Sequence, residues 1–238
     1  MSNELTKSNK ITVGGGLHNR LRQAEVLKEA VPTLDPHNLP NRLAIIADFS
    51  GSMGDRASGR WDTDNIKTKL QLLQEAVQDF ALRSNPADTA LAVESFPRGF
   101  RIELTNDTQS VYMRMLGIST LGDTPMGEGL SSALENHSPT RALLISDGEQ
   151  TDGESCFVQA EKYKNREINV DCVHIGSSTQ GEETLKRIAS ITGGMYMKFK
   201  DVQSFSQNFH YLLPAERATI AGMLPSKTAR LLGADEVS

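Results

Sequence analysis

One short segment of the chain combines side chains that could bind a hard metal ion. The apolar run 43–47 ends in Asp48, and Ser50 and Ser52 follow at alternate positions. Because open α/β sheets carry their functional side chains at the carboxyl ends of the strands, this D-x-S-x-S turn would present its oxygen atoms from one loop. Oxygen donors suit Mg²⁺, Mn²⁺ or Ca²⁺ better than softer metals. The segment predicts a divalent-cation site, with an ordinary turn rich in Asp and Ser as the alternative.

Two later loops carry side chains of the same kind. The segment Gly122–Gly127 contains Thr124 at the start of a predicted helix, and Asp147 directly follows another apolar strand. Thr124 could instead act as the N-cap of that helix. Since neighbouring parallel strands end at the same edge of a sheet, we expect Asp48 and Asp147 to lie together there.

The elements that would position these loops alternate along the chain. Strand-like segments cover 43–47, 89–96, 100–104, 141–146, 169–175 and 195–199, and helical stripes separate most of them. Only the turn 97–99 separates the second and third strands, which predicts a hairpin and an antiparallel edge strand. The predicted fold class is α/β: a Rossmann-like, doubly wound, mostly parallel six-stranded sheet with one antiparallel edge strand and helices on both faces.

Local polar residues predict where two of the helices begin. Asp64 is a candidate cap for the first long helix. Thr179 and Glu182 resemble a capping box that opens the helix after the fifth strand.

The chain divides into a central domain and two flanking segments. We expect an N-terminal extension with a short helix and a connector at residues 1–41, the α/β domain at residues 42–213, and a helical tail at residues 214–238. A final amphipathic helix is predicted at 202–213, within the central domain.

Composition gives no support to several classes of function. The net charge of -5, without a basic run, gives no reason to expect a nucleic-acid partner. No apolar stretch reaches the roughly 18–20 residues of a membrane span, and the first residues lack an apolar secretion segment. Cys156 and Cys172 form no C-x-x-C motif, which argues against zinc and favours a cytoplasmic, reducing compartment.

Together the three loops resemble the metal-ion-dependent adhesion site (MIDAS) of the von Willebrand factor type A (vWA) domain family. That site combines D-x-S-x-S, a threonine in a T-P-x-G-like turn and an aspartate in a D-G-E turn, and all three occur here in the same order within about residues 42–213. The resemblance implies that Ser50, Ser52 and Thr124 coordinate a divalent ion, while Asp48 and Asp147 act directly or through bound waters.

The resemblance also implies a binding function and no enzymatic one. Neutral hydroxyl ligands leave an ion such as Mg²⁺ under-neutralised, so that an external carboxylate can complete its coordination. We expect a cytoplasmic scaffold or adaptor that uses Mg²⁺, or alternatively Mn²⁺ or Ca²⁺, to capture an Asp or Glu of a protein partner. The family further suggests that the final helix at 202–213 moves with the metal loops. The oligomeric state does not follow from the sequence.

A Mg²⁺-dependent phosphoryl hydrolase is the main alternative, because an Asp at a strand end also serves that chemistry. Against it, Ser50 stands where such enzymes often carry a second carboxylate, and the sequence pattern places no lysine beside a transferring phosphate. A nucleotide-binding site is disfavoured because no G-x-G-x-x-G turn follows the first strand.

Overall fold

A computed structural model of the protein describes residues 34–56, 67–97, 99–115, 117–148, 150–151 and 153–199. The predicted helices of the N-terminal extension, at 202–213 and in the C-terminal tail lie outside these residues. The described part contains the predicted α/β architecture, which is therefore confirmed.

The strands form one six-stranded sheet in the order β3-β2-β1-β4-β5-β6. Only β3 runs antiparallel to its neighbour, and the remaining pairs are parallel. The first and fourth strands are neighbours, so their carboxyl ends meet where the strand order reverses. The bounds are β1 Asn41–Asp48, β2 Thr89–Phe96, β3 Arg101–Thr105, β4 Arg141–Ser146, β5 Asn169–Ile175 and β6 Tyr196–Phe199.

The described helices follow the predicted alternation with the strands. They are α1 Lys69–Arg83, α2 Thr108–Arg114, α3 Met126–His137, α4 Cys156–Asn165 and α5 Thr179–Thr192, with 3-10 turns at Pro36–Asn38 and Gly51–Gly54. None of these helices combines the length and apolar character that crossing a membrane would require.

Both predicted cap assignments need correction. The N-cap of α1 is Thr68, which forms a capping box with Gln71, and Asp64 lies outside the described residues. The N-cap of α5 is Ser178, whose hydroxyl accepts a hydrogen bond from the Gly181 amide at 3.1 Å. Each helix therefore begins at a different polar residue from the one that the sequence favoured.

Side chains that alternate along the strands bury both faces of the sheet. One face of the sheet packs against α1 and α2, through residues such as Ile45, Val93 and Phe80. The opposite face packs against α3, α4 and α5, through residues such as Ile46 and Leu144. The central strands are thus covered on both sides, as a parallel sheet requires, and their loops at the carboxyl edge are held at fixed positions.

Helix α3 is held close to the sheet by two glycines and by a buried polar cluster. A methyl group on Gly129 would lie 2.6 Å from Cδ1 of Phe96, and one on Gly127 would lie 1.8 Å from the carbonyl oxygen of Glu154. Only residues without a Cβ allow this approach. Since the loop containing Thr124 leads directly into α3, the packing of α3 sets the position of that loop.

Glu94 of β2 lies at the centre of the polar cluster. Its carboxylate accepts hydrogen bonds from Nε of Arg101 at 2.9 Å and from Oγ of Ser132 at 2.9 Å, and contacts Nε2 of His137 at 3.1 Å. Burial alone would raise the pKa of Glu94, but the hydrogen bonds from His137, Arg101 and Ser132 outweigh it and lower the pKa to about 2. The charged form of Glu94 therefore ties α3 to β2 and β3.

We predict that Glu94→Gln lowers the free energy of unfolding by about 2 kcal/mol at neutral pH, because charge-assisted hydrogen bonds to a buried group are lost. A carboxyl with a lowered folded-state pKa stabilises the fold above its ordinary value of 4.5 and loses this contribution as the pH falls toward about 2. Urea unfolding across this range should therefore show that the free energy of unfolding of the variant falls less steeply with decreasing pH than that of wild type. Glu135→Gln, at an exposed position on α3, is the control. An equal pH dependence of stability in Glu94→Gln and wild type would contradict the lowered pKa of Glu94.

Candidate metal centre

Backbone hydrogen bonds join the three predicted loops at the carboxyl edge of the sheet. The Gly51 amide donates to the Gly122 carbonyl at 3.0 Å, and the Leu121 amide donates to the Phe49 carbonyl at 2.7 Å. The Thr124 amide donates to Oγ1 of Thr151 at 2.9 Å, which links the second loop to the third. The loops thus converge, as the sequence predicts.

Asp48 is fixed by hydrogen bonds to both of its carboxylate oxygens. Oδ1 accepts from the Ser50 amide at 2.9 Å, and Oδ2 accepts from Oγ of Ser146 at 2.5 Å. The carboxylate is fully buried. The first loop then turns through a 3-10 segment, which brings Oγ of Ser50 to 3.2 Å from Oγ of Ser52. The D-x-S-x-S motif therefore places its side chains as one compact group.

Asp147 lies in the third loop and is also buried. Its Oδ2 accepts a hydrogen bond from Nζ of Lys69 at 2.9 Å. Its Oδ1 is buried and has no hydrogen-bond partner among the described residues. The loop itself is tightly packed, since a methyl group on Gly181 of α5 would lie 1.9 Å from the Asp147 carbonyl oxygen. Asp147 is thus rigidly placed with one carboxylate oxygen unsatisfied.

Thr124 is buried just before α3, but it does not cap that helix. The N-cap position is Pro125, and no side chain caps the helix there. The cap interpretation of Thr124 is therefore wrong for this structure. The Thr124 side chain lies in the second loop, which is joined to the D-x-S-x-S turn through Gly51 and Gly122.

Two buried carboxylates at one edge create an unfavourable concentration of negative charge. Burial raises the pKa of Asp48 to about 6, although hydrogen bonds from Ser146 and Ser50 partly offset it, and the nearby charge of Asp147 raises it further. Buried charges in proteins are normally paired or coordinate metals. The pair of carboxylates is therefore a favourable location for positive charge.

The available donors fit a hard divalent cation. Carboxylate and hydroxyl oxygens are the ligands that Mg²⁺, Mn²⁺ and Ca²⁺ prefer, and the unsatisfied Oδ1 of Asp147 is a free acceptor among them. Within the described ranges, no three His, Cys, Asp or Glu side chains gather as a metal cluster. The donor set therefore fits a centre rich in hydroxyls, and it lacks the imidazole and thiolate ligands of a zinc site.

Lys69 is the residue at this edge that sequence reasoning missed. The first residue of α1 brings its ammonium group to Asp147, whereas the sequence pattern indicated no lysine placed to stabilise a transferring phosphate. Its contact spans 78 positions of sequence, so no local motif could have indicated it. Two further acids of these loops are Asp123, which is exposed, and Glu149, which lies outside the described residues.

Comparisons with solved structures identify the fold class as that of vWA-type domains. BatB from Bacteroides thetaiotaomicron aligns with a TM-score of 0.58 and 16% identity, over 75% of this chain and 99% of that one. The vWF domain of the type V pili tip protein Mfa5 from Porphyromonas gingivalis aligns with a TM-score of 0.57 and 11% identity, over 79% and 97%. A von Willebrand factor type A protein from Catenulispora acidiphila aligns with a TM-score of 0.53 and 20% identity, over 73% and 42%.

At these identities the similarity establishes the fold alone. No protein-family model matches the sequence. No curated protein matches it either. The described part of the chain therefore has a vWA-like fold, and only the chemistry of its loops bears on their role.

We predict that Asp48→Asn stabilises the metal-free protein by about 1–3 kcal/mol near neutral pH, because it removes a buried charge whose pKa is raised to about 6. A carboxyl with a raised folded-state pKa also makes wild-type stability increase as the pH falls from about 7 to about 4, and the variant should lose this increase. Urea unfolding in the presence of chelator measures both effects.

The exposed Asp55→Asn in the same loop is the matched control and should change neither quantity. A metal-free Asp48→Asn protein that is less stable than wild type would show that the charge of Asp48 supports the fold.

Proposed function

We propose that this vWA-like domain binds a divalent cation at the carboxyl edge of its sheet and uses it to capture a carboxylate of a protein partner. Ser50, Ser52 and Thr124 would supply hydroxyl ligands, and Asp48 and Asp147 would act directly or through bound waters. Mg²⁺ is the preferred ion, with Mn²⁺ or Ca²⁺ as alternatives.

The observation that carries this proposal is the buried, unsatisfied Oδ1 of Asp147 beside a second buried carboxylate. An unpaired buried oxygen of this kind costs about 1–3 kcal/mol, more for a charged group, and a bound cation would offset that cost. The paired hydroxyls of Ser50 and Ser52, 3.2 Å apart, supply neutral donors in the adjoining loop.

Capture of an acid follows from the charge of such a centre. Hydroxyl ligands do not neutralise a divalent ion, so it would keep its attraction for an incoming carboxylate. Leu121, 67% exposed in the adjoining loop, would offer an apolar contact beside that carboxylate. We therefore propose an Asp or Glu residue of a partner protein as the ligand, in a scaffold or adaptor role. The free, buried Cys156 and Cys172 fit the proposed cytoplasmic compartment.

A metal-dependent phosphoryl hydrolase is the second candidate, and Lys69 is the observation that favours it. A lysine beside strand-end carboxylates could stabilise a transferring phosphoryl group. However, Asp48 is fully buried and both of its oxygens already accept hydrogen bonds, which is a poor arrangement for a nucleophile. Incubation with p-nitrophenyl phosphate and Mg²⁺ should give no turnover, and turnover that disappears in Asp48→Asn would favour the hydrolase.

We predict that Thr124→Val weakens Mn²⁺ binding by at least about tenfold, because it keeps the shape of the side chain and removes one ligand. Isothermal titration and the electron paramagnetic resonance of free Mn²⁺ both measure this change. Thr184→Val is the matched control, since the Thr184 hydroxyl bonds only within α5 in the described structure. Equal Mn²⁺ affinity in Thr124→Val and wild type would contradict the proposed ligand set.

The capture step needs a separate measurement. Immobilised wild-type protein should retain a partner from native extract with Mg²⁺ and release it with chelator, while immobilised Thr124→Val should retain little. A partner retained equally under all these conditions would bind elsewhere on the domain.

A further inference from the structure

Lys69 occupies a partly buried position that the helix it begins does not explain. It is the first residue of α1, where a cation opposes the helix macrodipole and an anion would be favoured. The capping box of Thr68 and Gln71 already satisfies this helix end. The Lys69 side chain is nevertheless only 15% exposed. Its position therefore calls for a partner outside α1.

That partner is Asp147, and the lysine stem passes close to the end of β5. Nζ of Lys69 donates to Oδ2 of Asp147 at 2.9 Å. The stem passes Gly176 at the end of β5, where a methyl group would lie 3.4 Å from Cε of Lys69. Gly176 has a φ of +137°, a conformation that side chains rarely adopt. The ammonium thus pairs with one oxygen of the carboxylate whose other oxygen is unsatisfied.

We propose that Lys69 competes with a metal ion for the carboxylate of Asp147. This competition weakens metal binding and makes the metal-loaded centre bind an acidic ligand more tightly. The inference rests on the proposed function, because it concerns how the same centre is regulated. A divalent ion that approaches Asp147 meets a fixed positive charge a few ångströms away, and like charges at this range repel strongly in a partly buried site.

The charges of the centre explain why the loaded form would select an acid. The carboxylates of Asp48 and Asp147 with the ammonium of Lys69 leave one net negative charge. A bound divalent ion would change this to one net positive charge, which a single carboxylate neutralises. Without Lys69 the ion would simply neutralise the two carboxylates. Lys69 therefore lowers the affinity of the centre for metal alone and raises the affinity of the loaded centre for an anion.

The chain offers a matched control two positions earlier. Lys67 pairs with Glu75 of α1, and its side chain is 36% exposed. Replacing either lysine changes the net charge of the protein equally. Only Lys69 contacts Asp147, so the two variants separate a local effect from a general one.

The experiment is a Mn²⁺ titration of the full chain by calorimetry, at low ionic strength, with and without acetate as the anion probe. We expect Lys69→Met to bind Mn²⁺ at least about tenfold more tightly than wild type, and Lys67→Met to match wild type within about twofold. Lys69→Arg keeps the charge and should stay close to wild type. Acetate should tighten Mn²⁺ binding by wild type and have a smaller effect on Lys69→Met.

Each other outcome is decisive. Thermal unfolding first checks that Lys69→Met is folded. If wild type binds Mn²⁺ and the folded variant binds it with equal or lower affinity, the competition inference fails and the proposed metal centre stands. If neither protein binds Mn²⁺, the inference and the proposed function fail together. If acetate tightens binding equally in both proteins, the proposed selection of an acid by Lys69 is wrong.

Discussion

The hydrogen bond from Oγ of Ser146 to Oδ2 of Asp48 is the interaction on which the arrangement of the loops depends. It crosses between the ends of β1 and β4, the two strands at which the strand order reverses. The same serine oxygen accepts from the Gly148 amide at 2.8 Å, so one hydroxyl fixes both the first carboxylate and the loop that carries Asp147. Because parallel pairing sets the register of these strands, the position of the loops follows from the sheet itself.

This arrangement concentrates negative charge in a buried place, and the structure shows how the fold accommodates it. Hydrogen bonds to both oxygens of Asp48 lower the cost of its burial, yet burial still raises the pKa of Asp48 to about 6. The ammonium of Lys69 compensates Asp147 at one oxygen only. Unfavourable burial of charge is common at functional sites, where proteins give up stability for an arrangement of charges that a ligand completes. Glu94 shows the contrast, since its three partners satisfy it and lower its pKa to about 2.

Sequence reasoning succeeded where the signal is periodic and failed where it is local or long-range. The observed bounds of β2, β4 and β5 agree with the predicted ones, because a strand that is buried on both faces has a nearly continuous hydrophobic sequence. Asp48 and Asp147 could be predicted to meet, since strand ends in this topology share one edge. Thr124 lies between two helices, so only the resemblance to the metal-ion-dependent adhesion site placed it with them. Helix starts were less predictable: Ser178 and Thr179 are adjacent and chemically equivalent as caps, and only the backbone geometry selects Ser178. The contact of Lys69 with Asp147 depends on how α1 packs across the sheet, and no spacing rule encodes it.

The environment of Asp48 supports the proposed binding function over a catalytic one, for a physical reason. A catalytic carboxylate must change its bonding during a reaction, either by attacking an atom or by transferring a proton. Asp48 cannot easily do so, because it is fully buried and its hydrogen bonds join the protein backbone to the neighbouring strand. Moving Asp48 would release Ser146 and with it the Asp147 loop, which is already in close contact with Gly181 of α5. A site whose carboxylates also hold its loops in place is suited to keeping a constant geometry, and constant geometry is what a metal-bridged binding site requires.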